Sequence, residues 1–348
     1  MLKTLKIENF RGFKSFELQQ LGRVNLLVGV NNSGKTSILE AIRLLCSPAN
    51  LEPLHKVMME RGEYFWSDGN SNSVERELDV CHLFHGHEIE EDSQFSISGV
   101  NDYIQQKLVV AIRLGSIRPY YSSGSNFESE TNLFSEISVD EFPDELVRFG
   151  LSVKWTHGNT QEHYQQPLSL NGGLTNAYIH HPSIINQKST PKTQFITSSS
   201  LTIKIMTELF EKVVLTSEEK LVYEALQTIE PRIERIASVS STSRRYMYSG
   251  SRGGFVVRLS DSEQRVPIGS LGDGIWRMLG LALAIVSVKG GVLLVDEIDT
   301  GLHFTALSDM WKLIWETAKK LDVQVFATTH NSDCWTSLAT IASQEDAA

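Results

Sequence analysis

The octapeptide Gly29-Val-Asn-Asn-Ser-Gly34-Lys35-Thr36 constrains this chain more than any other segment. It fits G-x-x-x-x-G-K-[ST] without a mismatch. The apolar run Val24–Val28 precedes it and reads as a buried strand. Behind it, Lys35–Leu45 places Ile38, Leu39, Ile42 and Leu45 on one face of an amphipathic helix. A turn between such a strand and helix aims successive backbone N–H groups at an anion, and the helix N-terminus adds positive potential. Gly29, Asn31, Asn32, Ser33, Gly34, Lys35, Thr36 and Ser37 are therefore the candidate phosphate contacts. Lys35 is placed to neutralise phosphate charge, and the Thr36 hydroxyl to ligate Mg²⁺.

The C-terminal portion alternates in the same style. Residues 274–288 read as a helix, Val292–Val295 as a buried strand, 304–320 as a helix, 323–327 as a second buried strand and 332–339 as a helix. Such alternation predicts a parallel, doubly wound sheet. Asp296 and Glu297 end the first of these strands, where open α/β sheets bind ligands. Asp296 suits a Mg²⁺ shell shared with Thr36, and Glu297 suits a base that accepts a proton from water. Ala327-Thr-Thr-His330 ends the second strand in polar residues, with His330 suited to hydrogen-bond a terminal phosphate or the attacking water.

These residues resemble an ABC-type ATPase head of the RecF, SMC and OLD-like class. Leu5-Lys-Ile-Glu-Asn-Phe10-Arg11-Gly-Phe13 resembles that class's opening strand. Asp296-Glu297-Ile-Asp299 with Thr300-Gly-Leu-His303 resembles its Walker B and D-loop, and Thr328-Thr-His330-Asn its switch histidine. Ser270-Leu-Gly272-Asp273-Gly274-Ile-Trp-Arg277 resembles its signature, with Gly272 where a serine usually stands. The resemblance covers roughly residues 1–45 and 200–340. It implies an α/β P-loop NTPase fold, with a mixed or parallel sheet flanked by helices and an inserted α+β region. It implies ATP and Mg²⁺ as ligands, and catalysis by Lys35, Glu297 and His330. It also implies two heads closing on each other's nucleotide, so that Gly272, Asp273 and Gly274 of one face the phosphates of the other. Arg11 is expected to reach the nucleotide as well.

In chain order the expected parts are an N-terminal lobe (1–46), an inserted region (47–200), and a helical and C-terminal lobe (201–348). Residues 2–9 and 14–20 alternate like strands about an Arg11-Gly12-Phe13 turn, and 47–73 reads as loop. Residues 107–114, 149–155 and 177–179 read as strands within the insertion. Further on, 201–214 and 217–229 read as two helices, the second capped at Thr216-Ser217-Glu218-Glu219, with strands near 233–239 and 254–259.

Charge narrows the choice of partner. The chain carries 32 Lys+Arg against 42 Asp+Glu, a net −10, which disfavours a strongly basic nucleic-acid binder. Twelve carboxylates against three bases lie between residues 86 and 146, so most of the excess sits in the insertion. That stretch reads as a solvated surface, or as the docking face of a basic protein. The basic, aromatic run Arg244–Arg252 is the one segment suited to nucleic acid.

Three distant cysteines, Cys46, Cys81 and Cys334, suit a reducing cytosol and build no disulfide framework. No signal peptide or membrane span is legible, so the reading is cytoplasmic. The cluster Cys81-His82, His85 and His87 lacks a second ligand pair at zinc spacing and reads as a mixed surface–core helix. His180-His181 reads as structural, and Trp311 with Trp315 as a packed helix face.

Few residues follow His330, leaving no room for the Toprim nuclease that follows the ATPase in OLD proteins. The expected function is thus an OLD-like, ATP-hydrolysing homodimer or higher oligomer. It would serve as sensor and scaffold of an anti-phage system whose effector is a separate protein. The alternative is a RecF-like repair ATPase clamping duplex DNA.

Overall fold

The computed structural model describes residues 1–47, 51–67, 75–119, 132–136, 147–175, 192–239 and 254–344. The expected strand at 177–179, His180-His181, the run Arg244–Arg252 and part of the acidic stretch lie outside them. The chain forms two compact units, residues 1–21 with 40–190, and residues 22–39 with 191–348.

The chain opens with strands β1 (Leu2–Phe10) and β2 (Phe13–Leu18), a hairpin turned at Arg11-Gly12 as expected. Leu5, Ile7 and Phe10 of β1 are fully buried. Strand β3 (Val24–Val28) and helix α1 (Lys35–Leu45) follow, and α1 carries the chain from the second unit back into the first. Ile38, Leu39, Ile42 and Leu45 are all buried, as their spacing requires.

The segment read as loop contains helix α2 (Glu52–Arg61) and strand β4 (Tyr64–Ser67). Pro53 in the first turn and left-handed Gly62 just past the end mark the helix, and Leu54, Val57 and Met58 bury its short apolar face. Strand β5 (Glu75–Leu78) pairs with β4, and a single 3₁₀ turn, Val80–Leu83, replaces the helix expected around Cys81 and His82.

Strands β6 (Gln94–Asn101) and β7 (Ile104–Pro119) form a hairpin on Asp102-Tyr103, both at positive φ, the two-residue turn that matches strand twist. Strands β8 (Asn132–Glu136), β9 (Val147–His157), β10 (Thr160–Pro167) and β11 (Leu174–Thr175) complete the first unit. Its main sheet is antiparallel in the order β10-β9-β7-β6-β1-β2, with β8 paired to β7. The acidic stretch is therefore no detachable surface insert, because β6 and β7 lie inside this sheet. Its carboxylates Glu88, Glu90, Glu91 and Asp92 stand exposed in the connection before β6.

Strand β12 (Thr193–Ile196) enters the second unit, followed by helices α3 (Ile203–Val213) and α4 (Glu219–Gln227). The expected Ser/Thr cap of α4 is not made. Instead the Glu219 carboxylate accepts from the Leu215 N–H at 2.8 Å. A three-stranded antiparallel sheet comes next, formed by β13 (Ile233–Ser238), β14 (Phe255–Leu259) and β15 (Arg265–Pro267).

Helix α5 (Asp273–Ser287) is buried from Ile275 to Val286 on every side, which is why its sequence shows no polar stripe. Strand β16 (Val292–Val295), helix α6 (Leu307–Leu321), strand β17 (Gln324–Thr329) and helix α7 (Ser332–Gln344) follow as expected. Trp311 is fully buried on α6, its indole N–H donating to the Cys334 carbonyl at 2.9 Å.

The four-stranded sheet of this unit is parallel throughout, in the order β12-β16-β17-β3. β16 and β17 are buried along their length. β3 stands at an end of this order and is only half-buried, with Val28 53% exposed, so the expectation of a buried strand fails there. Cys46 and Cys334 are buried free thiols and Cys81 is a partly exposed one. Among the described residues no helix is long and apolar enough to cross a membrane.

Candidate functional site

Strand register assembles the site. Val28 pairs with Thr329, and Ala327 with Val295. The residues that follow β3, β17 and β16 therefore emerge side by side at the C-terminal edge of one parallel sheet, the edge where α/β folds bind ligands.

The loop after β3 is shaped by three backbone requirements. Asn32 and Gly34 take positive φ (61° and 86°), bending the chain into a concave turn. A Cβ on Gly29 would come within 2.9 Å of the Ser33 hydroxyl, a crowding that glycine avoids. The Lys35 ammonium folds back over the turn and donates to the Gly29 and Val30 carbonyls, each at 2.8 Å. Asn31, Asn32 and Ser33 are exposed on the turn, while Ser37 is buried at 8% exposure.

From α1, the Thr36 hydroxyl donates to Asp296 Oδ2 at 2.9 Å. From β17, the Thr328 hydroxyl donates to Asp296 Oδ1 at 2.6 Å and accepts the Glu297 N–H at 2.8 Å. Residues 260 and 32 positions from Asp296 thus grip its two oxygens. This hydroxyl–carboxylate pair is a hard oxygen donor set, the kind Mg²⁺ takes. Glu297 stands next to it in the left-handed region (φ 47°), rare for a non-glycine and costly unless neighbours hold it. The Thr300 hydroxyl donates to its carboxylate at 3.3 Å. Thr329 similarly donates to Asp299 at 2.7 Å. His330 follows, exposed at the strand end.

Arg277 supplies much of the grip on Glu297, a role the sequence did not announce. Its side chain is 3% exposed and donates to the carbonyls of Thr197 (2.8 Å), Asp296 (3.0 Å) and Glu297 (2.8 Å). Burial lowers the guanidinium pKa to about 10, still charged at neutral pH. One arginine on α5 therefore ties the start of that helix to the loop carrying both carboxylates. Arg277→Met is expected to remove three charge-assisted hydrogen bonds, although the Thr197 and Glu297 carbonyls keep the Ser200 and Thr300 N–H groups, destabilising the fold by about 3 kcal/mol. The midpoint of urea unfolding checks this.

Gly272 and Asp273 are exposed at the start of α5, with Gly274 half-buried behind them. The glycine in the usual serine position has a conformational cause, since Gly272 sits at φ 96° and ψ 176°. That region is open essentially to glycine alone. Gly272→Ser is expected to lower stability by about 1–3 kcal/mol, read as a lower thermal midpoint.

Arg11 is the one candidate whose guanidinium is committed to other partners. It is 5% exposed, its Nε 2.6 Å from Glu40 and its two terminal nitrogens bonded to Glu63 at 2.7 and 3.1 Å. Arg61 meets the same Glu40 at 2.7 Å. Burial pushes the Glu40 carboxyl up, against the pull of Arg11 and Arg61. Arg11 thus serves a buried charge network of the first unit.

Comparison with known proteins agrees with the chemistry. The AAA ATPase domain family matches residues 1–334. A Helicobacter pylori protein described as an ATP/GTP phosphatase is 20% identical over 343 residues, 96% of this chain and 86% of that one. RecF of Clostridioides difficile, described as a DNA replication and repair protein, is 52% identical over 44 residues, 13% of this chain and 12% of RecF. The SMC head domain from Thermotoga maritima is 13% identical, covering 97% of this chain and 91% of that chain with a TM-score of 0.39. The ATPase domain expected from the motifs is borne out. The chain belongs to the AAA ATPase domain family.

Proposed function

We propose that this chain binds ATP with Mg²⁺ at the turn Gly29–Thr36 and hydrolyses it. The observation that carries this reading is the meeting of Thr36 and Asp296 oxygens at 2.9 Å, next to Lys35, at the C-terminal edge of the parallel sheet. Turn amides and Lys35 would hold the phosphates. Thr36 and Asp296 would hold Mg²⁺, which when bound neutralises phosphate charge. Glu297 would take the proton of the attacking water. His330 would donate to the terminal phosphate.

The exposed glycine-rich start of α5 supports a composite site. An uncapped helix N-terminus attracts anions, and a second copy would present Gly272, Asp273 and Gly274 to the phosphates held by the first. The pairing is then symmetric, each copy completing the other.

The exposed carboxylates Glu88, Glu90 and Glu91 support a basic protein partner over DNA. We assign the chain, on its resemblance to OLD-like ATPases, the sensor and scaffold role of an anti-phage system with a separate effector. The test is what co-purifies with the Glu297→Gln chain from its native host in the presence of ATP. A stoichiometric protein, released when Glu88, Glu90 and Glu91 are changed to Gln, agrees with the assignment. DNA released by salt would instead favour a repair-type clamp.

A further inference from the structure

The 3₁₀ turn Val80–Leu83 gathers side chains that the nucleotide chemistry does not use. Asp79, Cys81 and His82 bring a carboxylate oxygen, a sulfur and a ring nitrogen within 4.8 Å of one another. Asp79 Oδ2 lies 3.4 Å from His82 Nε2. On the other side of the same ring, His82 Nδ1 lies 3.2 Å from His87 Nδ1. Sequence spacing alone hides this set, because Asp79 is not part of any Cys/His pattern.

The segment is held in place from beneath. Val80 and Leu83 are fully buried and Phe84 is 3% exposed. Backbone bonds tie it to its surroundings at both ends, from the Asp79 N–H to the Glu63 carbonyl (3.0 Å) and from the His85 N–H to the Asn9 carbonyl (2.9 Å). The Arg11 N–H also donates to the Leu83 carbonyl at 2.9 Å. Above, the side chains of Asp79 and His82 are 34% and 38% exposed, so an ion can reach them. His85 is turned to another task, its Nδ1 3.0 Å from the Arg11 carbonyl.

We propose that Asp79, Cys81 and His82 form a binding site for a zinc-type divalent cation, with His87 as the outer partner that orients the His82 ring. The donor set of sulfur, imidazole nitrogen and one carboxylate selects a borderline-soft ion over Mg²⁺ or Ca²⁺. Ligands of a tetrahedral ion at bond lengths of about 2.0–2.3 Å stand about 3.3–3.8 Å apart, so little movement closes the shell. Three protein ligands leave a fourth position to water. His82 coordinates through Nε2 and donates its Nδ1–H to His87, a hydrogen bond that fixes the tautomer of a metal-bound histidine. The Cys81 thiol proton leaves to solvent as the thiolate binds. The ion would clamp the connection between β5 and β6.

The experiment uses the full chain stripped of metal by a chelator, without nucleotide. It is titrated with Zn²⁺ in a calorimeter and with Co²⁺ in a spectrophotometer. Expected are one Zn²⁺ per chain and a thiolate-to-cobalt charge-transfer band. Cys81→Ser loses the band, and His87→Gln binds about 10–100-fold more weakly at unchanged stoichiometry. Lys35→Ala takes up zinc as the parent does, which separates this site from the phosphate loop. Absence of stoichiometric zinc, a Co²⁺ spectrum without the charge-transfer band, or equal zinc affinity in Cys81→Ser would each overturn the proposal. The wild-type cobalt spectrum decides the matter even where a variant folds poorly.

Discussion

Glu297→Gln is expected to bind ATP as tightly as the parent chain and to hydrolyse it about 100- to 10,000-fold more slowly, the usual contribution of a positioned base. The substitution preserves side-chain size and the acceptor oxygen for the Thr300 hydroxyl. Its backbone contacts are untouched, since the Glu297 N–H stays on Thr328 and its carbonyl on Arg277. What goes is the negative charge, and with it the capacity to take a proton. Filter binding of labelled ATP and phosphate release, measured on the same preparation, separate the two effects. Loss of binding together with turnover would move Glu297 from a base to a structural position. Normal turnover would remove it from the chemistry.

Lys35→Ala is expected to weaken ATP binding by about 10- to 100-fold and to lose hydrolysis with it. A hydrogen bond to a charged partner contributes about 1.5–3 kcal/mol, which sets that range. Lys35 also acts before any phosphate arrives, because its ammonium bridges the Gly29 and Val30 carbonyls. Alanine therefore removes both the charge that meets the phosphates and the strap that holds the turn. Equilibrium titration with a fluorescent ATP analogue measures the first effect. Unchanged affinity would show that the turn amides carry the binding alone.

Much of the site was legible because its chemistry sits on short, local patterns. The turn at Gly29–Thr36 declares itself by glycine spacing, and β16 and β17 by uninterrupted apolar runs ending in polar residues. What joins those patterns is not local. The Thr36–Asp296 bond spans 260 residues, and no periodicity predicts that Thr328 would bridge Asp296 and Glu297. Arg277 stands in a glycine-rich helix start whose sequence says nothing of its three carbonyl partners. Arg11 shows the converse. Its place beside a familiar strand suggested a nucleotide contact, while no local pattern announced its pairing with Glu40 on α1 and with Glu63 between α2 and β4.

The fold divides the same way. Hairpins such as β1–β2 and β6–β7 follow from alternation and turn chemistry. The pairing of β1 with β6, which welds the N-terminus into the antiparallel sheet, joins segments about ninety residues apart. Helix α2 escaped notice because three buried residues, Leu54, Val57 and Met58, make a thin stripe over barely three turns. Its proline start and glycine stop were the available signals.

The most direct test of the whole account is phosphate release per chain from ATP and Mg²⁺, followed as the concentration of the wild-type protein is raised. A composite site predicts that the specific rate climbs with concentration and then levels off, because each copy must find a second before its site is complete. A rate that never exceeds that of Lys35→Ala at any concentration would contradict the assignment of this chain's C-terminal sheet edge as an ATP-hydrolysing site.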